Sequence, residues 1–179
     1  MMKKFAMLVS AVFVLLLAIP VTAQAQEGRP AGVGIGLGQG TLVSGISLKH
    51  HMGANAIQGV IGCTRQWAGR CHGAGVSGDF LFNMPIFFEA DPIALGWNIG
   101  GGAAVGVGWE RYRHRSYRHD RYYGAGTVHV AGQFVAGLEL IFPTNPIDIV
   151  LEWRPHLRVA PFFDLWPFGG GAHIRFYLG

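Results

Sequence analysis

Three stretches near the C-terminus decide the fold: TVHVAGQFVAGLELIF at residues 127–142, IDIVLEWR at residues 147–154 and GAHIRFYL at residues 171–178. In each, apolar residues alternate with polar or small residues at a period of two. Successive side chains of a β-strand point to opposite faces, so each stretch has one apolar face and one face that carries ionisable groups. The apolar face points inward in a soluble sheet and outward, toward lipid, in a membrane barrel.

The rest of the chain favours the membrane barrel. The whole chain contains 28 glycines and only 13% charged residues, and no stretch after the N-terminal region is apolar enough for a spanning helix. Glycines on one strand face suit the narrow interior of a small barrel. Five further strand candidates occupy residues 32–38, 42–50, 55–62, 73–82 and 93–109. Eight strands in total predict an antiparallel up-and-down transmembrane β-barrel, because single-chain bacterial barrels have an even strand number of eight or more.

The N-terminus predicts export. Lys3 and Lys4 precede an apolar run that ends in the small-residue site Ala23-Gln24-Ala25. This is typical of a secretory signal peptide at residues 1–25, followed by an outer-membrane barrel domain at residues 26–179. A retained membrane anchor is the alternative, but the apolar run is short for a spanning helix. We therefore expect the outer membrane of a Gram-negative bacterium as the location.

The C-terminal half resembles a known family. The runs at residues 135–142, 145–152 and 171–177 resemble a small outer-membrane β-barrel family of unknown function, first described in a Borrelia outer-membrane protein and similar to the OmpA transmembrane barrel. The glycine-rich run at residues 32–38 is compatible with that family's first strand. The resemblance implies an eight-stranded barrel. It implies no established activity and no functional residues.

The polar face of the predicted strands carries charged residues that would line the lumen. Charges in a narrow interior are costly unless they are paired, so we expect Glu139 and Glu152 to contact Arg154 or Arg175. This predicts a salt-bridged plug; a gated pore is the alternative. A catalytic pair is disfavoured because the interior is too small for a substrate cleft. The predicted lumen charge network comprises Asp79, Glu139, Glu152, Arg154, His173 and Arg175.

Cys63 and Cys71 are eight residues apart within one predicted outer loop. In an oxidising compartment two such cysteines predict a disulfide. A metal pair with His72 is the alternative, but it lacks the ligand spacing of a zinc site.

The loop at residues 110–123 is rich in arginine and tyrosine. Five arginines and two histidines stand against two acidic residues, interleaved with four tyrosines. Arginine forks suit phosphate or carboxylate groups, so the loop is a candidate site for lipopolysaccharide or anionic glycans. A solvated loop, or a metal site at His114, His119 and Asp120, is the alternative. The candidate anion-binding residues are Arg111, Arg113, Arg115, Arg118 and Arg121.

These observations predict a monomeric outer-membrane barrel with a structural or surface-interaction role and no enzyme activity, cofactor or nucleic-acid partner. Its expected partners are outer-membrane lipid and lipopolysaccharide. Aromatic residues at strand ends, Trp153 and Trp166 among them, predict an interfacial girdle. The competing hypotheses are a narrow pore and a soluble lipocalin-like barrel. In the soluble barrel Leu138, Leu151 and Ile174 would line an apolar cavity.

Overall fold

The computed structural model describes residues 28–64, 71, 73–109, 125–161 and 163–178. Every regular element in these ranges is a β-strand, which confirms the prediction of an all-β chain. None of the described residues forms a helix that is long and apolar enough to span a membrane. The strands are β1 (Val33–Gly40), β2 (Val43–Met52), β3 (Asn55–Thr64), β4 (Gly73–Asn83), β5 (Phe88–Ala90), β6 (Ile93–Trp109), β7 (Ala125–Phe142), β8 (Ile147–Trp153), β9 (His156–Ala160), β10 (Asp164–Trp166) and β11 (Gly170–Leu178).

The strands form an antiparallel sheet that closes into an eight-stranded barrel. β1 pairs with β2 on one side and with β11 on the other, so the first and last strands of the barrel meet. The order around the wall is β1, β2, β3, β4, β6, β7, β8 and β11. Closure gives these strands a partner on both sides and removes the free edges of an open sheet. The predicted eight-stranded antiparallel barrel is confirmed, and its position in a membrane stays a prediction.

Three short strands lie inside segments that the sequence pattern predicts as connections. β9 continues the line of β8 and pairs with residues 130–133 of β7. β10 pairs with β9. Pro155 separates β8 from β9 because it has no N–H group to donate to the ladder. Its carbonyl still accepts a hydrogen bond from the Phe134 amide at 3.0 Å, so the wall continues past the interruption. β5 pairs antiparallel with the first residues of β6 at the opposite end of the barrel.

The two ends of the barrel differ in the length of their connections. The long-loop end is where β3, β6 and β9 end. The short-turn end is where β2 and β7 end, and it holds the tight turns at residues 53–54 and 143–146.

Large side chains of β11 fill the interior against glycines of β1. The register pairs Gly34 with Tyr177, Gly36 with Arg175 and Gly38 with His173. A Cβ atom at Gly34 would lie 2.7 Å from the Tyr177 ring, closer than real carbon atoms approach. At Gly36 a Cβ atom would overlap the backbone carbonyl of Ile174. Gly34 and Gly38 thus leave room for the side chains of Tyr177 and His173, and Gly36 allows the close approach of the β11 backbone.

Candidate functional site

The barrel interior is polar and its outer surface is apolar. Leu138, Leu151 and Ile174 point outward, and the Leu151 side chain is 60% exposed. All six residues of the predicted lumen charge network point inward and are at most 6% exposed. Only two small apolar clusters interrupt this interior within the described residues, one around Val60 and one around Leu81. The facing is opposite to that of a soluble barrel with an apolar cavity.

Positive and negative charges balance inside the barrel. Among the described residues, four basic side chains and four carboxylates are buried there. A buried charge is costly without a partner, so an equal count allows every charge to be neutralised. The basic residues are Arg29, Lys49, Arg154 and Arg175, and the acidic residues are Asp79, Glu139, Asp148 and Glu152.

At the long-loop end, Arg154 bridges two carboxylates. Its Nε atom lies 2.5 Å from Glu152 Oε2, and its Nη2 atom lies 3.0 Å from Asp79 Oδ2. His173 Nε2 contacts the same Glu152 oxygen at 2.9 Å, and the Gln133 amide donates to Asp79 Oδ1 at 2.5 Å. These contacts tie β4, β7, β8 and β11 together across the lumen. Because the bonds cross the barrel, they resist any widening of the interior at this level.

In the middle of the barrel, Arg175 donates hydrogen bonds to three side chains. It donates to Asp148 Oδ2 at 3.2 Å, to Gln58 Oε1 at 2.5 Å and to Ser47 Oγ at 3.0 Å. The Tyr177 hydroxyl donates to the same Asp148 oxygen at 2.8 Å. Gln58 also donates to Glu152 at 2.9 Å, which joins this group to the one at the long-loop end.

At the short-turn end, Glu139 is paired with Lys49 and Arg29. The expectation that Glu139 contacts Arg154 or Arg175 is therefore wrong, whereas Glu152 does contact Arg154. The reason is height along the barrel: Glu139 lies near the end of β7, and Arg154 lies beyond the opposite end of β8. Arg175 is already engaged by Asp148.

Arg29 closes the short-turn end, and no sequence signal pointed to it. It precedes β1, so it has no place in a strand period. Its Nε atom lies 3.0 Å from Glu139 Oε2, and its Nη2 atom donates to the carbonyls of Met84 and Trp97 at 3.0 and 3.2 Å. Gly96 provides the space, because a Cβ atom there would lie 2.8 Å from Arg29 Nη2. Burial lowers the pKa of the Arg29 guanidinium, but arginine still carries its charge at neutral pH.

One interior cluster has the residue types of a metal site. Ligand atoms of His51, Glu139 and Asp148 lie within 4.8 Å of one another. However, Glu139 is already paired with Lys49 and Arg29, and Asp148 is paired with Arg175. A metal ion at this point would meet three positive side chains, so we interpret the cluster as part of the salt-bridged interior.

The long-loop mouth of the lumen is tightly filled. The volume that a water molecule could occupy between Val43, Ser77, Gln133 and Arg154 is about 0 Å³. The ion pairs of Arg154 with Asp79 and Glu152 cross this same level. The arrangement can hold charges and bridge strands, but at this point it offers no passage.

The predicted disulfide between Cys63 and Cys71 is confirmed, with a Cα–Cα distance of 5.3 Å. It joins the end of β3 to the residue two positions before β4. Both thiols are consumed by this bond, which argues against the alternative of a metal pair with His72.

Several predicted residues lie outside the described part of the chain. They are His72, the histidines and Asp120 of the alternative metal site, and the five arginines at 111, 113, 115, 118 and 121. Of the predicted girdle, Trp153 and Trp166 are described, and both are about half exposed.

Gln58 and Ser47 belong to the interior network beside Lys49, whose inward position the strand period of β2 predicts. Ser47 has the same parity as Lys49 on β2, so the strand period puts it on the same polar face. Gln58 was harder to find because glycines make the facing of β3 ambiguous from sequence alone.

The resemblance carried by the last fifty residues stays a prediction. Comparison with known proteins finds no matching family, no matching curated protein and no matching solved structure.

Proposed function

We propose that the protein is an integral outer-membrane β-barrel with a plugged interior, and that its role is structural or one of surface interaction. The observation that carries the proposal is the inverted facing of the barrel. Ion pairs fill the inside, while leucine, isoleucine, valine and aromatic side chains cover the outside. Exposing such an apolar surface to water is unfavourable in free energy, whereas contact with acyl chains is favourable.

The apolar surface extends over every wall strand. Each contributes at least one large outward apolar side chain that is more than one third exposed. A monomeric soluble protein rarely exposes a contiguous apolar patch larger than a few hundred Å². A continuous apolar surface around a closed barrel is typical of a lipid-facing band. The signal-peptide pattern at residues 1–25 and the family resemblance favour the same location, the cell outer membrane of a Gram-negative bacterium.

The filled interior favours a plug over a pore. Conduction requires a continuous water-filled path, and the cross-lumen contacts of Arg154 and Arg175 occupy the interior at two levels. We therefore expect the protein to be electrically silent in planar lipid bilayers. Channel events of defined conductance would refute the plug and leave the membrane location intact.

Cell fractionation tests the membrane location. The full chain is expressed in a Gram-negative host, and the membrane pellet is washed with alkaline carbonate and then extracted with detergent. We expect the protein to remain in the pellet after carbonate and to be released only by detergent. Recovery in the soluble periplasmic fraction would refute the proposal and favour the soluble barrel.

A second candidate function is the binding of anionic glycans or lipopolysaccharide phosphates by the loop at residues 110–123. The supporting observation is its sequence, with five arginines among fourteen residues. β6 and β7, the two longest strands, lead into and out of this loop at the long-loop end. Replacing all five arginines with serine should abolish binding to immobilised heparin and to lipopolysaccharide. A matched variant with five lysines keeps the charge but loses the bidentate forks, so it should bind with intermediate strength. Equal binding by the serine variant and the native chain would refute this function.

A further inference from the structure

Residues 156–161 and 163–168, which we call the β9–β10 hairpin, carry the most exposed large apolar side chains of the described chain. Phe168 is 84% exposed and Phe163 is 74% exposed. Val159, Leu165 and Trp166 are each more than half exposed. The charged residues Arg158 and Asp164 face each other across the hairpin. An aqueous loop would be expected to present polar residues in place of these side chains.

The hairpin is fastened to the barrel wall. β9 pairs with β7 over Val130 to Gln133, and β10 pairs with β9. The Trp153 indole donates to the Pro167 carbonyl at 2.9 Å, and the Arg154 amide donates to the Gly169 carbonyl at 2.8 Å. These bonds hold the two strands in a defined position relative to the outward apolar surface.

The outward apolar surface continues onto the hairpin. Leu157 on β9 pairs with Leu165 on β10 and with Gly132 on β7. Gly132 lies on the outer face of the barrel wall, so Leu157 belongs to the same face. Immediately below, Phe134 and Trp153 make an edge-to-face contact with ring centroids 6.0 Å apart. The hairpin therefore extends the face that we propose to contact lipid, without a polar boundary between them.

The height of the hairpin matches a membrane interface. Twelve residue steps separate Ile147, at the start of β8, from Val159 in β9. At about 3.3 Å per residue and a strand tilt of about 40°, this corresponds to a rise of roughly 30 Å. The apolar band of an outer-membrane barrel is about 25 Å tall. With Ile147 taken as the lower boundary of the band, Val159 lies within a few ångströms of its upper boundary, where tryptophan is enriched.

From these observations we infer that the β9–β10 hairpin is an interfacial anchor, seated at the boundary between acyl chains and headgroups of the outer leaflet. The inference rests on the proposed membrane location. It assigns the hairpin to a lipid surface and not to a soluble partner, because its apolar side chains are continuous with the lipid-facing wall and its fixed position puts them at the height of the interface.

The test uses single cysteines labelled with the environment-sensitive fluorophore NBD. The native chain has two cysteines, both in the disulfide, so an introduced cysteine is the only free thiol. Labels are placed by Phe163→Cys and Phe168→Cys in the hairpin, by Leu151→Cys on the barrel wall and by Ala54→Cys in an exposed turn. Each protein is folded into phosphatidylcholine vesicles that carry nitroxide either near the headgroup or deep in the acyl chain.

We expect the labels at 163 and 168 to show blue-shifted emission and stronger quenching by the shallow nitroxide than by the deep one. The label at 151 should be quenched most by the deep nitroxide, and the label at 54 by neither. If both hairpin labels behave like the label at 54 while the label at 151 is still quenched, the anchor is refuted and the membrane location stands. If the label at 151 also escapes quenching, the membrane location itself is wrong, and the anchor is refuted with it.

Discussion

Replacing Leu151 with arginine separates a lipid-facing surface from a water-facing one. Leu151 points outward between Leu138 and Ala172 on the neighbouring strands. With Ile147 taken as the lower edge of an apolar band of about 25 Å, Leu151 lies four residue steps, or roughly 10 Å, into the band and close to the bilayer midplane. Arginine at this depth on the lipid face of a barrel costs about 2–4 kcal/mol. The same change on a water-exposed surface would alter stability by no more than about 0.5 kcal/mol.

The assay is a urea titration of folding into phosphatidylcholine vesicles, followed by tryptophan fluorescence. We expect Leu151→Arg to lower the free energy of unfolding by about 2–4 kcal/mol relative to the native chain. The matched control is Leu178→Arg, at the last residue of β11 and at the short-turn end. Because the cost of arginine falls near the interface, this control should lose only about 0–1 kcal/mol. Equal effects within about 0.5 kcal/mol at both positions would refute the argument that these side chains contact lipid.

Three further predictions concern the interior and the disulfide. Glu139→Ala leaves Lys49 buried without its partner and should lower the free energy of unfolding by about 3–5 kcal/mol in the same titration. The control Glu89→Ala removes an exposed carboxylate and should lower it by less than about 0.5 kcal/mol. Similar losses of stability in the two variants would contradict the ion-paired interior. Gly36→Ala should lower the free energy of unfolding by about 1–3 kcal/mol or prevent folding, because the added Cβ atom overlaps the facing backbone. Gly132→Ala should be tolerated, because no atom lies within 4 Å of its added Cβ atom. A Gly36→Ala variant as stable as the native chain would disprove this close packing. Reduction of the disulfide should lower the free energy of unfolding by about 2.5 kcal/mol on the chain-entropy estimate, because the bond closes a loop with a sequence separation of 8. An unchanged urea midpoint under reducing conditions would contradict this prediction.

Much of the barrel could be predicted because a strand has a simple period. The placement of Glu152, His173 and Arg175 on the polar face follows from alternation along β8 and β11 and needs no knowledge of the partner strands. The eight wall strands were predictable for the same reason. β9 and β10 were not, because prolines and clustered aromatics in residues 155–168 disturb the period that identifies a strand.

The pairing of charges could not be predicted, since it depends on distances across the lumen. Two inward residues meet only if the stagger of the strands brings them to the same height, and the stagger is a property of the closed barrel. Lys49 and Glu139 are separated by 90 positions in the chain, yet they form an ion pair. Arg29 reaches the interior from outside any strand, so no periodic pattern could have indicated it.

By itself, the sequence determined which face of most wall strands is polar and that eight strands form the wall, because alternation and turn residues are local properties of the chain. Only the tertiary structure decided what those faces contact. Closure of the barrel puts the glycines of β1 opposite the large side chains of β11 and gives each buried charge a partner. The physical reason is that an ion pair or a tight packing contact requires a few ångströms between atoms, and strand register around a closed sheet sets those distances.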